Sequence, residues 1–109
     1  MQIRIAGKQI EIGEALPERV RTKLGSAVGK HFNRDAEANV IFARERVGVR
    51  ADCTVHLSSG TRMQAHGTGN DANQAFDMAL EHLEKQLRRY MRRMKNHHEH
   101  GPQIRSGVD

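Results

Sequence analysis

The 109-residue sequence has few of the residues on which many protein classes depend. Its one cysteine, Cys53, excludes an internal disulfide and is typical of a reducing compartment. Three phenylalanines, one tyrosine and no tryptophan leave the core to be built from aliphatic side chains. No apolar run approaches the roughly 20 residues of a membrane-spanning helix, and the N-terminus lacks a signal-peptide pattern. We therefore expect one cytoplasmic domain without a membrane partner.

Recognisable catalytic motifs are also missing from the sequence. There is no glycine-rich loop for a phosphate, and no serine or cysteine in the setting of a nucleophile. Cys53 lies in an alternating apolar pattern, which indicates a buried structural thiol. His97, His98 and His100 could bind a metal, but neighbouring histidines at a helix end rarely enclose an ion. We predict no enzyme, cofactor, metal or small-molecule substrate, and a metal-dependent enzyme is the least favoured alternative.

The charge of the chain is concentrated in one short segment. Residues 85–95 hold six lysines and arginines and no acid, whereas the whole chain carries a net charge of +5. On a helix, Leu83, Leu87, Tyr90 and Met94 fall on one face and the six bases cover roughly 160° of the other. This pattern predicts a docked helix that presents a basic surface to a polyanion, of which nucleic acid is the commonest.

A simpler explanation of the basic segment stays open at this point. Cations near a helix C-terminus interact favourably with the helix dipole. Glu81 with Lys85, and Glu84 with Arg88, are spaced for ordinary ion pairs on a solvated helix face. Against this explanation, four of the six bases are arginines, which favour forked contacts with phosphate.

Hydrophobic periodicity predicts an α+β domain with the order β-α-β-β-β-α. The predicted elements are a strand at 2–6 with an extended continuation at 8–12, a helix with an apolar stripe from Leu16 to Val28, a turn at 33–35, strands at 38–44, 50–57 and 61–68, and a helix at about 72–97. The last three strands form an antiparallel meander, and both helices cover one face of a four-stranded sheet. The predicted core stripe of the final helix contains Ala72, Phe76, Ala79, Leu80, Leu83, Leu87, Tyr90 and Met94. We expect an ordered domain at 1–97 and, at 98–109, a flexible tail or the start of a linker.

The first helix adds a second set of basic side chains away from its apolar stripe. These residues are Arg19, Arg21, Lys23 and Lys30, with Arg34 just beyond. If the two helices pack side by side, their outer surfaces form one basic slope. Such a slope is suited to the shape and charge of a nucleic-acid backbone rather than to base edges. A folded RNA is the favoured target.

Several blocks along the chain resemble the bacterial ribosome hibernation-promoting factors, also called ribosome-associated translation inhibitors. The resemblance covers about residues 1–97, and its strength lies in the order and spacing of the blocks. They are Glu11–Leu16, then Val20, Lys23-Leu24, Lys30–Arg34, Gly69–Asp71, Ala75–Asp77, Leu83–Leu87, Arg88-Arg89 and Arg92-Arg93.

The resemblance implies a fold similar to double-stranded RNA-binding domains and binding in the mRNA and tRNA channel of the small ribosomal subunit. A bound domain would exclude mRNA and tRNA and keep idle ribosomes inactive but intact. The residues that match the rRNA-contacting positions of the family are Lys23, Lys30, Lys85, Arg88, Arg89, Arg92, Arg93 and Lys95.

Two further expectations accompany the resemblance. The stretch around Tyr90 is similar to the long form of the family, in which a second domain pairs two ribosomes, so dimerisation of ribosomes is expected only if such a domain follows. The alternative function is a general double-stranded RNA-binding module. It is disfavoured because that class carries its basic cluster at the start of the final helix, where this chain has Asp77, Glu81 and Glu84.

Overall fold

The computed structural model describes the backbone of residues 1–32 and 36–100, and the side chains of residues 1–29 and 36–94. Its elements are β1 (Gln2–Lys8), α1 (Ala15–Phe32), β2 (Glu37–Glu45), β3 (Gly48–His56), β4 (Arg62–Gly69) and α2 (Ala72–His100). The four strands form one sheet in the order β1-β2-β3-β4. The predicted α+β fold is therefore confirmed. The sequence pattern did not place β1, which lies beside β2 and parallel to it.

The sheet buries one face because apolar and polar side chains alternate along its central strands. Val40, Cys53 and Ala65 are cross-strand partners on the inner face, and all three are buried. Ile3 and Ile5 of β1 pair with Ala38 and Val40 and extend the same face. The predicted inward residues of the three antiparallel strands are thus confirmed.

Both helices pack on this inner face. Leu16, Val20, Leu24 and Val28 of α1 are buried at helical spacing, which compensates for the weak helix propensity of a segment with two glycines. On α2, the larger buried side chains are Phe76, Leu83 and Leu87. The helices therefore owe their positions to the apolar stripes that the sequence contains.

The start of α2 is fixed by an N-cap at Asp71 and by a second hydrogen bond to the residue before it. The backbone N–H of Gln74 donates to Oδ1 of Asp71 at 2.9 Å, and Oε1 of Gln74 accepts from the backbone N–H of Asn70 at 2.8 Å. The first bond satisfies a backbone donor that the first helical turn leaves without a partner, and the second ties the residue before the cap to the helix. The predicted N-cap at Asn70-Asp71 is confirmed, with Asp71 as the acceptor.

From this cap, α2 runs along the free edge of β4 in the opposite direction. Nδ1 of His82 donates to the backbone oxygen of His66 at 2.7 Å, and Nε2 of Gln86 donates to that of Gln64 at 2.6 Å. Four helical residues rise about 6 Å, close to the length of two strand residues, so the two elements stay in step. A Cβ atom on Gly67 would lie 2.3 Å from the backbone nitrogen of Ala79, so this close approach requires glycine.

Two details of the predicted core stripe of α2 are wrong. Ala75, which was left out of the stripe, is fully buried against β4, and Met94, which was included, is 47% exposed. The 29 residues of α2 span about 43 Å, whereas the 8 residues of β4 span about 26 Å. The end of the helix therefore extends past the sheet, and Met94 has no inner face to pack on.

Two predicted element boundaries differ from the structure, and one predicted turn cannot be compared with it. Residues 8–12 do not continue as an extended strand, because β1 ends at Lys8 and Gln9 adopts a φ of 58°. The final helix continues to His100 rather than ending near residue 97. The predicted turn at 33–35 lies outside the described residues, as do 101–109 at the end of the chain.

Candidate nucleic-acid interface

Five of the predicted site residues form an exposed basic surface on the second half of α2. We call these residues, Lys85, Arg88, Arg89, Arg92 and Arg93, the α2 basic surface; all five are exposed. Among the side chains that the structure describes, none forms an ion pair with them. Glu81 and Glu84 are spaced for ion pairs with Lys85 and Arg88 but form no salt bridge with them. The surface thus keeps its full positive charge toward solvent.

The α2 basic surface consists of two rows that differ in what they adjoin. Lys85, Arg89 and Arg93 succeed one another at four-residue spacing, next to the row of His82 and Gln86 that contacts the edge of β4. Arg88 and Arg92 lie further round the helix, on the side that faces away from the sheet. A phosphate backbone that follows the helix would meet the first row beside the sheet edge and the second row on the helix crest.

The two helices contact each other near their first turns. Nη2 of Arg19 and Oδ1 of Asp77 form a salt bridge of 2.8 Å between α1 and α2. Arg19 is therefore engaged within the fold and is less available to a ligand than its place in the predicted basic slope suggested. Asp77, one of the acids in the first half of α2, is thereby tied to α1.

Lys23 lies one turn beyond Arg19 on α1, and it is exposed. β1 and β2 are parallel neighbours in the sheet, and α1 joins them. The helix therefore runs back from the end of the sheet where β1 stops to the end where β2 starts. α2 runs toward the same end, where Glu37, His56 and Arg62 are cross-strand partners. The two helices therefore run in the same direction, with Lys23 near the middle of α1 and the α2 basic surface toward the end of α2. The side chains of Lys30 and Lys95 lie outside the described residues.

A group of hydroxyls borders the α2 basic surface at this end, and sequence reasoning missed it. Oγ of Ser59 donates to Oγ1 of Thr61 at 3.1 Å, and Oγ1 of Thr61 donates to the Tyr90 hydroxyl at 3.5 Å. We call these three residues the hydroxyl cluster. Hydrogen bonds from Thr61 and, to a lesser extent, Ser59 lower the pKa of Tyr90. The positive charge of Arg93 lowers it further, whereas burial raises it. The four-residue spacing of His82, Gln86 and Tyr90 puts Tyr90 in the helix row beside β4, but it does not identify Thr61 as the partner.

The open face of the sheet has a different character. Arg50 on β3 forms a forked contact with Asp52, with Nε to Oδ2 at 3.1 Å and Nη2 to Oδ1 at 3.2 Å. These hydrogen bonds raise the pKa of Arg50. The negative charge of Asp52 also offsets the positive charge of the guanidinium group. His56 and His66 are also exposed. This face mixes both signs of charge and is a poorer match for a polyanion than α2.

Other candidate chemistry finds little support in the structure. Cys53 is fully buried, and burial raises the pKa of its thiol to about 12, so the thiol is unreactive at neutral pH. Over the described residues, no three metal-ligating side chains cluster, and no helix has the length and apolar character needed to cross a membrane. The side chains of His97, His98 and His100 are outside that range.

The fold and the surface together define a small α+β domain that presents a basic helical surface. The sequence model of the family described as "Sigma 54 modulation protein / S30EA ribosomal protein" matches residues 3–95. The chain therefore belongs to this family, as the sequence resemblance implied.

Several curated relatives of this chain are named as ribosome hibernation factors. A "Ribosome hibernation promotion factor" of Rhizobium meliloti is 39% identical over 98 residues, which are 90% of this chain and 52% of that protein. A protein of the same name from Bradyrhizobium diazoefficiens is 35% identical over 88% of this chain and 47% of its own length. The chain thus spans about half the length of these two relatives. The "Ribosome hibernation promoting factor" of Escherichia coli K12 is 32% identical over 89% of this chain and is covered in full.

Solved structures give the same result for the fold. The N-terminal domain of Protein Y from Thermus thermophilus superposes with a TM-score of 0.72 at 26% identity, covering 83% of this chain and 99% of that one. A ribosomal subunit interface protein from Coxiella burnetii gives a TM-score of 0.74 at 25% identity, with 84% and 98% covered.

Proposed function

We propose that this domain is a ribosome hibernation factor that binds the small ribosomal subunit through rRNA and blocks translation. The observation that carries the proposal is the α2 basic surface, five exposed bases without an ion-pair partner among the described side chains. Membership of the family and the hibernation names of the relatives support the same function. The proposed rRNA-binding residues are those of this surface together with Lys23, Lys30 and Lys95.

The proposed mechanism is steric and needs no catalysis. The domain occupies the channel where mRNA and tRNA bind, and its bases neutralise rRNA phosphates there. Arginine suits this task because its planar group donates two hydrogen bonds to one phosphate. Idle ribosomes in the cytoplasm are kept inactive but intact while the domain is bound. Neither a cofactor nor a small-molecule substrate takes part.

The second candidate function is a general double-stranded RNA-binding module, and the distribution of charge on α2 argues against it. The first half of the helix carries Asp77, Glu81 and Glu84, and Asp77 is held by Arg19. A duplex laid along the whole helix would meet these acids, which repel phosphate. The basic half alone is suited to a shaped RNA surface with closely spaced phosphates.

Co-sedimentation distinguishes these two functions. The purified chain is mixed with isolated small subunits, or with a plain RNA duplex at equal phosphate concentration, and the bound fraction is measured after centrifugation or by gel shift. We expect saturable binding of one chain per subunit and much weaker binding of the duplex. Equal affinity for both RNAs would favour the general module, and no binding to small subunits would refute the proposed function.

A further inference from the structure

The hydroxyl cluster lies where the basic half of α2 meets the sheet. His82 and Gln86 use their polar atoms on the backbone oxygens of β4, whereas Tyr90, next in the same row, meets the Thr61 side chain. Tyr90 and Thr61 are only half-buried, and Ser59 is exposed. The row therefore changes at Tyr90 from covering a strand edge to presenting hydroxyls at the surface.

The turn that holds two of these hydroxyls is closed by two backbone hydrogen bonds. The backbone N–H of Leu57 donates to the oxygen of Thr61, and that of Gly60 donates to the oxygen of Leu57, both at 2.9 Å. Gly60 has a φ of 97°, a conformation that side-chain-bearing residues rarely adopt. Leu57 is buried and anchors the turn to the core. The hydroxyls are thus positioned before any ligand arrives, which reduces the entropy lost on binding.

The chemistry of the cluster matches a sugar–phosphate backbone. A tyrosine hydroxyl that accepts hydrogen bonds is polarised and becomes a better donor to an anion or to a ribose hydroxyl. Arg93 is close enough for its charge to act on Tyr90, and Arg89 belongs to the same row of the α2 basic surface. Neutral hydroxyls beside arginines combine hydrogen bonding with charge, as RNA-backbone sites require.

We propose that Ser59, Thr61 and Tyr90 form a contact site for the ribose–phosphate backbone of the rRNA strand that lies along the α2 basic surface. This inference rests on the proposed function and adds uncharged recognition to it. The site extends the interface from α2 onto the turn between β3 and β4. A strand bound there touches two elements at once, so its position relative to the helix is fixed.

The first test separates uncharged recognition from charge. Tyr90→Phe and Thr61→Val each remove one hydroxyl and keep the side-chain shape, and affinity for isolated small subunits is measured at several salt concentrations. We expect about 3- to 10-fold weaker binding, the usual effect of one neutral hydrogen bond. The slope of log affinity against log salt should stay at the wild-type value, because that slope counts phosphates neutralised by cations.

Two matched variants complete this test. Arg93→Gln should reduce the salt slope by about 1, which shows that the slope responds to lost charge. Thr68→Val removes an exposed hydroxyl at the other end of β4 and should bind as the wild type does. Unchanged affinity of Tyr90→Phe and Thr61→Val overturns the inference, as does a loss that comes with a lower salt slope. A lowered melting temperature with unchanged affinity would show a structural brace only, and would also overturn it.

A second test asks whether RNA is the partner of the turn. Ser59→Cys creates one reactive thiol, because Cys53 is buried and its pKa of about 12 keeps it protonated at pH 8. An iron chelate attached there generates hydroxyl radicals on the small subunit. Cleavage of rRNA in a confined stretch supports the proposal, and binding without rRNA cleavage refutes it. If the wild-type chain itself fails to bind small subunits, the proposed function fails, not merely this site.

Discussion

The two halves of α2 serve different purposes although they form one continuous helix. In the first half, Phe76, Ala79 and Leu83 are fully buried, and Asp77 is bridged to α1. In the second half, burial declines until Met94 is 47% exposed, and arginine replaces acid on the outer side. The first half thus contributes most of the buried side chains by which the helix packs on the sheet. The second half keeps fewer contacts with the fold, through Gln86, Leu87 and Tyr90, and its outer side is open to a charged partner.

The comparison predicts that salt strongly affects binding and hardly affects folding. Raising monovalent salt from 50 to 200 mM should weaken binding to small subunits by about 10²- to 10³-fold, if about five bases each neutralise one phosphate. The free energy of unfolding of the isolated chain should change little, because the α2 basic surface forms no ion pairs with described residues. Parallel binding and urea-unfolding titrations measure the two effects. A salt-insensitive affinity would contradict the division of the helix.

Shortening a buried side chain in the first half of α2 should affect folding but not binding. Leu83→Ala removes a fully buried side chain and should lower the free energy of unfolding by about 2–5 kcal/mol. Urea denaturation followed by circular dichroism gives the value. At a temperature where the variant is fully folded, its affinity for small subunits should equal that of the wild type. A stable variant with lost affinity would assign Leu83 to the binding surface instead.

Removing the helix cap should have a smaller effect of the same kind. Asp71→Ala deprives the backbone N–H of Gln74 of its acceptor and should lower stability by about 1 kcal/mol. Asp71→Asn, which keeps a capping oxygen, is the matched control and should lose much less. Thermal denaturation of the three chains side by side provides the measurement. Equal losses in both variants would show that the carboxylate charge, rather than the cap, is what matters.

The smallest effect should come from the residue that the sequence wrongly placed in the core. Met94→Ala should change the free energy of unfolding by no more than about 0.5 kcal/mol, because the side chain is nearly half exposed. Leu87→Ala, one heptad earlier and 3% exposed, should cost several times as much. A large loss from Met94→Ala would mean that this part of α2 packs against another part of the chain.

The sequence predicted those features that depend on local periodicity. Alternation along β3 and the four-residue spacing of α2 were sufficient to assign the inner face, since each side chain follows its element's repeat. The order of strands in the antiparallel meander followed from short connections. Asp71 was recognisable as a cap because such residues satisfy the first helical turn.

The missing features depend on how elements meet in space. Ala75 is buried only because Gly67 lets the helix backbone approach β4, and a short side chain gives no strong hydrophobic signal. Met94 fits the apolar periodicity, but the sheet beneath it has ended. The contact of Thr61 with Tyr90 joins residues 29 positions apart, and no local pattern encodes it. The binding roles of the basic residues remain a prediction, as do the domain limits at 1–97 and 98–109.

The most direct measurement compares two charge reversals of equal size. Arg89→Glu with Arg93→Glu alters the α2 basic surface, whereas Arg4→Glu with Lys8→Glu alters two exposed bases on β1, at the far edge of the sheet. Both double variants have the same net charge and should fold as the wild type does. We predict that the first loses on the order of 100-fold or more in affinity for small subunits, and that the second stays within a few-fold of wild type. Equal losses in both would show attraction by net charge alone, and would contradict a specific rRNA-binding surface on the second half of α2.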